Sequence, residues 1–312
     1  MKRNSYLSAV LPLLLLSAGG CSRRELWHSS TLLFFDTVCD LTLACSDREF
    51  EIAQKEVERI FEEIQSSFSP GADSLDSPLA LELFRKAKKI YADTEGSFDI
   101  SVEPLAEIWG FRGERHRVPS DQEVAEARKN VGLDKATEEG GRIVRPETMK
   151  FDWGGIGKGF GVDLAYRALA ARGIQNGFIN AGGDLYCWGT NPEGVPWKIG
   201  IKHPRRRGFL GTLAITGLGA ATSGDYQRFF EENGVSYHHI FDPKTGYPAR
   251  GKQSVTVVGP EATVCDALST ALFVSSQPEK ILIRYPEYGA VIVSRDGRVY
   301  SIGKKYHLAL IS

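Results

Sequence analysis

The second half of the chain reads as a series of short strands separated by turns. From Phe178 onward, runs rich in β-branched and aromatic residues alternate with Gly, Asn and Asp. The turns at Asn233-Gly234 and Asp296-Gly297 have the sequence of tight hairpins. Apolar residues recur at helical spacing in segments 50–68, 74–96, 120–132 and 158–173. Since hairpin sheets need a second layer to bury their apolar face, we predict an α+β fold of antiparallel or mixed sheets covered by helices.

A glycine-rich stretch precedes the last of these helices. Residues 152–163, DWGGIGKGFGVD, place glycines and one lysine between two aspartates. The stretch matches neither the GxxxxGK[ST] phosphate loop nor the GxGxxG dinucleotide pattern. Glycines at a strand-to-helix junction can still offer backbone N–H groups to an anion at the helix N-terminus. One interpretation is a phosphate cradle; the other is that Gly154, Gly155 and Gly157 only allow a tight turn and close packing.

The N-terminus differs from the rest of the chain. Lys2 and Arg3 precede a short apolar run that ends in small residues before Cys21. This layout predicts a lipoprotein signal peptide over residues 1–20 with Cys21 lipidated, and an ordinary cleaved secretory signal is the alternative. We expect a tether over residues 21–33 and one domain over 34–312. The net charge of −1 gives no bias toward nucleic acid, and no nucleic-acid partner is expected.

Several polar and sulfur-bearing residues remain to be explained. Four cysteines (Cys39, Cys45, Cys187 and Cys265) show no CxxC spacing, which argues against zinc. Buried thiols are expected, with a Cys39–Cys45 disulfide as the alternative. Asp266 and Thr270 lie four apart in a predicted helix, so their oxygens share a face that suits Mg²⁺, or Asp266 only stabilises the helix start. The adjacent His238 and His239 must point to opposite faces of a strand, so at most one serves a given pocket.

Six segments occur in the order found in one family. They are GSFDISVEPL, DWGGIGKGFGVD, FINAGGDLYCWG, ATSGDYQRFF, YHHIFDPKTGYPA and VTVVGPEATVCDALSTALFV. From about Phe34 to the C-terminus, the chain resembles the ApbE-type FAD:protein FMN transferases, which have a T-fold-related architecture. The resemblance implies cleavage of FAD at its pyrophosphate, transfer of FMN through a phosphoester to a Thr or Ser of a target flavoprotein, and release of AMP.

The resemblance also implies roles for individual residues. Mg²⁺ would be bound by the carbonyl of Gly155 with Asp266, Ser269 and Thr270, and His239 would accept a proton. FAD would be contacted by Phe35, Phe68, Ser97, Phe98, Asp99, Asp152, Lys158 and the backbone of Ile240. Two segments depart from the family pattern. Phe35-Asp36-Thr37 stands where Met-Gly-Thr is usual, and SPGADS replaces RPDS after Phe68.

Location and partners follow from the same resemblance. We expect the protein in the bacterial cell envelope, held to the membrane by a lipid, with its domain on the periplasmic or extracytoplasmic side. The target would be a subunit of a membrane redox complex or a secreted flavoprotein. Two other classes of protein remain open at this point: an FAD pyrophosphatase that uses water as acceptor, and a non-catalytic flavin-binding lipoprotein.

Overall fold

The computed structural model describes residues 26–68, 76–113, 115–306 and 308–310. The predicted signal peptide, the lipidated Cys21 and the SPGADS segment lie outside these residues. Within these ranges, no helix has both the length and the apolar character needed to cross a membrane.

The strands follow one another in the chain as β1 (Leu26–Phe34), β2 (Thr37–Cys45), β3 (Thr137–Glu139), β4 (Arg142–Val144), β5 (Gly177–Ala181), β6 (Asp184–Trp188), β7 (Trp197–Lys202), β8 (Phe209–Ile215), β9 (Leu218–Gly224), β10 (Phe229–Glu232), β11 (Val235–His238), β12 (Lys252–Gly259), β13 (Gly289–Ser294), β14 (Val299–Gly303) and β15 (Leu308–Leu310). The α-helices are α1 (Asp47–Phe68), α2 (Pro78–Asp93), α3 (Glu103–Ile108), α4 (Asp121–Arg128), α5 (Gly157–Ala171), α6 (Ala262–Val274) and α7 (Pro278–Leu282). Short 3-10 helices lie at Ile100–Val102 and Leu133–Lys135.

An eight-stranded sheet in the order β1-β2-β5-β6-β9-β12-β13-β14 forms the centre of the fold. Every neighbouring pair in it is antiparallel. A second sheet has the order β15-β8-β7, and β3-β4 and β10-β11 form two separate hairpins. The predicted α+β class is confirmed, with antiparallel pairing throughout.

The main sheet is covered by different layers on its two faces. On one face, Tyr186 of β6 stacks on Tyr166 of α5 with ring centroids 4.1 Å apart. On the other face, Phe178 of β5 stacks on Trp197 of β7 at 5.4 Å. Because side chains alternate along a strand, each strand contributes to both cores. The sheet is therefore buried between helices α1, α5 and α6 on one side and the β7-β8-β15 sheet on the other.

The described end of the predicted tether belongs to the sheet. Residues 26–34 pair with β2 in continuous register, from Leu26 opposite Cys45 to Phe34 opposite Thr37. Residues 26–33, which the prediction assigned to a tether, are therefore part of the sheet. The hairpin turn that follows is made by Phe35 and Asp36, whose φ angles are 56° and 55°. This left-handed pair matches the right-handed twist of the flanking strands.

Several local predictions are confirmed. Asn233 and Gly234 both have positive φ, as a tight hairpin turn requires. Ser120 and Glu123 form a reciprocal capping box at the start of α4. All four cysteines in the described part of the chain are buried, as predicted. Cys39 is a free thiol at the opposite end of β2 from Cys45, so the alternative of a disulfide between them does not hold.

Two residues of the glycine-rich stretch hold α5 against α6. A Cβ atom on Gly159 would lie 2.4 Å from the carbonyl oxygen of Ala262. The carboxylate of Asp163 accepts hydrogen bonds from the N–H groups of Ala262 and Thr263, which begin α6. Gly159, which the sequence interpretation did not include, is therefore required for the close approach of the two helices. From within α5, Asp163 thus satisfies the first two N–H groups of α6.

We expect Gly159→Ala to lower the free energy of unfolding by about 2–3 kcal/mol, since the added methyl group meets backbone atoms that cannot move aside. Gly157→Ala is the matched control, because a Cβ there would meet its nearest neighbour, in Trp153, at 3.8 Å. Urea denaturation measures both. Equal unfolding free energies for the two variants would show that α5 and α6 can move apart without loss of stability.

Candidate active site

A large cleft passes over one end of the main sheet. Its volume is about 1660 Å³, more than the ~300–1,000 Å³ usual for one small ligand. The turns β1–β2 and β5–β6 and the end of β9 meet at this edge and contribute Asp36, Gly183 and Ser223 to the lining. The cleft therefore reaches both faces of the sheet. We call the part beside helices α1 and α5 the helix-side arm and the part beside β7 the strand-side arm.

The glycine-rich turn lines the helix-side arm, but it offers fewer free donors than the sequence suggested. The N–H of Gly154 donates to Asp152, those of Ile156 and Gly157 to the carbonyl of Trp153, and that of Gly159 to Asp266. The N–H groups of Gly155 and Lys158 in this turn donate to no acceptor among the described residues. A phosphate would meet these two donors at the N-terminus of α5.

Lys158 lies at the centre of a compact charged cluster. Its Nζ is 2.7 Å from Asp184 Oδ2, 3.0 Å from the carbonyl oxygen of Gly154 and 3.7 Å from Asp266 Oδ2. Burial opposes the charge, yet the two carboxylates hold the pKa of Lys158 above its ordinary value. Burial raises the pKa of Asp184. The ammonium therefore stays charged at the inner end of the helix-side arm.

The predicted metal ligands come together beside this cluster, with one exception. The position of a Cβ on Gly155 lies 3.4 Å from Thr270 Oγ1, which places the loop against α6. Asp266 and Thr270 both line the cleft. Ser269 lies behind them: its Oγ donates to the carbonyl of Asp266 at 2.8 Å and lies 2.7 Å from Ser223 Oγ. Ser223 in turn is 3.0 Å from Thr270 Oγ1, so Ser269 supports a ligand position and does not face the cleft.

The donor set fits a hard cation. Burial and the nearby Asp184 raise the pKa of Asp266 to about 7, while Lys158, 3.7 Å away, favours the ionised form. A carboxylate, a hydroxyl and a carbonyl oxygen are ligands that Mg²⁺ accepts while keeping waters. The described residues contain no cluster of three or more His, Cys, Asp or Glu side chains suited to a metal. The predicted set contains a single carboxylate, Asp266, and ligands from a substrate would have to complete it.

Asp152 belongs to an ion-pair network that the sequence did not reveal. Its Oδ2 is 2.7 Å from Arg112, and Arg112 is bound by both oxygens of Glu103. The two carboxylates raise the pKa of Arg112 even though burial opposes its charge. Arg112 also lines the cleft. The predicted FAD contact Asp152 therefore acts together with a fixed guanidinium, a group suited to phosphate or to a carbonyl oxygen.

The predicted flavin contacts gather in the helix-side arm. Five of them line it: Phe35, Phe68, Ser97, Phe98 and Asp99. The Phe68 ring lies 5.0 Å from Trp153, and Phe98 contacts the position of a Cβ on Gly155. Phe35 packs on Phe61 at 5.2 Å, even though its turn differs from the usual sequence. Aromatic walls of this kind suit a planar ring system.

Two predicted contacts have polar groups that the protein already uses. The carboxylate of Asp99 accepts from the N–H and hydroxyl of Ser101 and from the N–H of Leu133. The N–H of Ile240 donates to His238 Nδ1, and its carbonyl accepts from Ala249. Asp99 acts as a cap of a 3-10 helix. The contacts of Asp99 and Ile240 with FAD remain predictions. Only the remaining lone pairs of their oxygen atoms are available to a ligand.

The adjacent histidines have different environments. His238 is buried, bound to the carbonyl of Ala249 at 2.8 Å and packed on Phe273, so it is a structural residue. His239 lines the cleft, and its Nδ1 lies 3.2 Å from the carbonyl of Arg228. A carbonyl only accepts, so Nδ1 carries the proton and Nε2 keeps its lone pair. Burial lowers the pKa of His239 to about 4, which keeps the ring neutral at physiological pH.

The sequence analysis gave no role to Asp184, Arg112, Glu103 and Ser223. Asp184 carried the best signal, because an acidic residue follows the pair Gly182-Gly183 inside a quoted motif. Arg112 and Glu103 lie far from Asp152 in sequence, so no spacing rule connects them.

Comparison with known proteins agrees with this geometry. The model of the ApbE family matches residues 35–292. A curated FAD:protein FMN transferase of Haemophilus influenzae is 36% identical over 211 residues, which is 64% of this chain and 61% of that protein. One from Vibrio cholerae is 33% identical over 246 residues, 72% of this chain and 73% of that protein. The match to the Haemophilus protein thus spans less than two thirds of its length.

Solved structures show the same fold. The crystal structure of the ApbE protein of Thermotoga maritima has a TM-score of 0.83 and 31% identity, and covers 89% of this chain and 97% of its own. The apo flavinyl transferase ApbE of Pseudomonas stutzeri has a TM-score of 0.79 and 27% identity, with 91% and 95% covered.

Proposed function

The chain belongs to the ApbE family, and we propose that it is an FAD:protein FMN transferase. In this proposal, FAD binds in the helix-side arm, its pyrophosphate is cleaved, and FMN passes to a Thr or Ser hydroxyl of a target flavoprotein with release of AMP. The names of the curated relatives support the activity.

One observation supports the proposal most. Lys158 lies 3.7 Å from Asp266, and both line the cleft together with Gly155, Thr270 and aromatic side chains. Within the described part of the chain, the N–H groups of Gly155 and Lys158 are free in this turn. Phosphoryl transfer needs neutralised charge, donors around the phosphates and an in-line nucleophile, and little covalent help from protein. A magnesium ion held by Gly155, Asp266 and Thr270 would supply charge neutralisation on the pyrophosphate.

The chain's own residues supply the rest of the chemistry. Lys158 and the two N–H groups bind and orient the phosphates, and Asp184 keeps the ammonium charged and in place. Neutral His239 takes the proton of the acceptor hydroxyl at Nε2, while Nδ1 remains bound to the carbonyl of Arg228. A positioned base of this kind contributes ~10²–10⁴ in rate.

The proposed base gives a defined pH dependence. Because the pKa of His239 is about 4, the ring stays neutral from about pH 8 down to about pH 5, and we expect no loss of kcat/KM from its protonation in that range. The unfolded chain binds this proton from its ordinary pKa of 6.5, so stability from this group falls as pH drops from 6.5 toward 4. Transfer rates of the wild type and His239→Asn across this range provide the measurement. A fall with an apparent pKa near 6.5 in the wild type alone would contradict the assignment.

The phosphate-cradle interpretation of Gly155 has its own test. Gly155 does not have positive φ, so its backbone conformation tolerates a side chain. The methyl groups of a valine at this position would enter the space between Phe98 and Thr270. We expect Gly155→Val to fold and to bind FAD at least about tenfold more weakly, with a smaller loss for riboflavin, which has no phosphate. Calorimetric titration of both ligands decides this. Equal losses for the two ligands would remove the pyrophosphate from this loop.

The function itself is tested with purified protein, FAD and Mg²⁺. Transfer predicts AMP release together with flavin fluorescence that stays on a candidate acceptor protein after denaturation. AMP release that is equal with and without acceptor, and leaves no protein-bound flavin, would favour the pyrophosphatase. FAD binding without AMP release would favour a flavin-binding protein.

We further propose an envelope location with a lipid on Cys21. This rests on the sequence alone, since residues 1–25 lie outside the described part of the chain. Cys21→Ser should release an active domain from the membrane fraction.

A further inference from the structure

The strand-side arm of the cleft is left without an occupant once FAD is assigned to the helix-side arm. We infer that this arm is the docking site of the acceptor protein, and that an extended acceptor segment binds there as an added strand along β7, with acidic residues beside its Ser or Thr. This inference rests on the proposed transferase activity and specifies how its second substrate is recognised.

The first observation is the position of β7. It is the terminal strand of the β15-β8-β7 sheet, paired with β8 on one side only. All its residues, Trp197 through Lys202, line the cleft. Side chains alternate along a strand, so a strand that turns one face toward a cleft lines it with every second residue. The whole of β7 lines the cleft because its free edge, with its backbone N–H and C=O groups, faces the cleft.

A free edge of this kind is chemically suited to a polypeptide. Unpaired N–H and C=O groups along a strand are a template for another strand, and peptide recognition by strand addition uses them for affinity. Within the described residues, no backbone hydrogen bond joins the free edge of β7 to another element. A dinucleotide cannot satisfy such a ladder, whereas an extended segment can.

The floor of this arm leads to the reacting centre. Thr222 and Thr256, on neighbouring strands of the main sheet, line the arm and are hydrogen bonded at 2.8 Å. Thr222 is followed by Ser223, which holds Thr270 from the opposite face of the same strand. A hydroxyl carried along this floor therefore passes Thr222, whose chain neighbour Ser223 is hydrogen bonded to the predicted metal ligand Thr270 on the other face of the sheet.

Charge indicates the composition of the segment. Lys198 and Lys202 of β7 line the strand-side arm, Arg228 lines the cleft next to His239, and all three are exposed. No carboxylate among the described residues lies within ion-pair distance of these three cations; Lys202 lies over the ring of Tyr226. Of the described carboxylates that line the cleft, Asp99, Asp152, Asp184 and Asp266 belong to the helix-side arm, and Asp36 lies in the β1–β2 turn. An acidic segment complements this surface, and steering by such charges acts mainly on encounter and choice of partner.

The test uses two synthetic peptides, each with one threonine centred in an extended β-branched sequence. One has aspartates beside the threonine and the other has lysines. With FAD and Mg²⁺ present, we expect the wild type to flavinylate the acidic peptide with a KM at least about tenfold lower. Lys198→Glu combined with Lys202→Glu should reverse this preference and leave the Kd for FAD unchanged. Lys55→Glu, at an exposed lysine of α1 outside the cleft, is the matched control.

Proline tests the free edge. Consecutive N–H groups of a strand point to opposite sides, so one of Lys198→Pro and Ile199→Pro removes a donor from the free edge and the other from the β8 ladder. The variant that keeps the wild-type Tm is the edge variant, since proline is tolerated where the N–H faces outward. We expect it to lose at least about tenfold in transfer to the acidic peptide, with FAD affinity intact, relative to alanine at the same position.

Three results would overturn the inference. The first is an unchanged peptide preference in the lysine double variant. The second is a loss of FAD affinity as large as the loss of transfer, which would place part of FAD in this arm. The third is AMP release by a wild type that flavinylates neither peptide. Absence of AMP release under all conditions would instead reject the transferase, and with it the acceptor.

Discussion

We expect Asp266→Ala to abolish measurable transfer, or to lower it by ~10²–10³, because the variant loses the only carboxylate of the predicted ligand set. A bound metal contributes several kcal/mol to stabilising charge on a phosphoryl group, and each 1.4 kcal/mol is tenfold in rate. Thr270 and the carbonyl of Gly155 are neutral and cannot replace the charge. Transfer rates measured over a range of Mg²⁺ concentrations check this expectation.

Two controls separate a metal role from a folding role. Asp266 also accepts the N–H of Gly159, and Asp266→Asn keeps an acceptor of the same shape while removing the charge. We expect the asparagine variant to melt near the wild type and still to lose transfer, with thermal stabilisation by Mg²⁺ reduced. Full flavinylation by either variant would show that the metal is held elsewhere.

The sequence was sufficient for elements whose signals are local. The capping box at Ser120 and the Asn233-Gly234 turn each depend on a few adjacent residues, and both were found as predicted. The helix over 50–68 was predicted from its apolar period and is seen as α1, which begins at Asp47. Asp266 and Thr270 lie on one face of α6 and both line the cleft, as their spacing of four predicted.

Contacts between distant segments could not be obtained in this way. Asp184 pairs with Lys158 only because the β5–β6 turn and the start of α5 meet at one end of the sheet. The strand at 26–34 was missed because its partner, β2, decides its state, and its own sequence is short and polar on one face. The glycines looked equivalent in sequence. They differ once α6 is placed beside them: a Cβ on Gly159 would meet the backbone of Ala262 at 2.4 Å, whereas one on Gly155 would meet only side chains, at 3.4 Å.

The ion pair between Lys158 and Asp184 gives the second large effect. Lys158→Met should lower transfer by at least about 100-fold and also destabilise the fold by about 3 kcal/mol, because Asp184, which is 4% exposed, is left buried without a counter-charge. Loss of activity in this variant alone would not distinguish a phosphate ligand from a structural cation.

The double variant Lys158→Met/Asp184→Asn makes that distinction. Removing the second charge relieves the uncompensated carboxylate, so we expect most of the lost unfolding free energy to return, while transfer and FAD affinity stay low because no ammonium faces the pyrophosphate. Asp184→Asn alone keeps the ammonium beside Asp266, 3.7 Å away, and should lose far less FAD affinity than either lysine variant. Urea denaturation and FAD titration of the three variants complete the cycle. Recovery of FAD binding together with stability in the double variant would mean that Lys158 only neutralises Asp184 and does not bind the substrate.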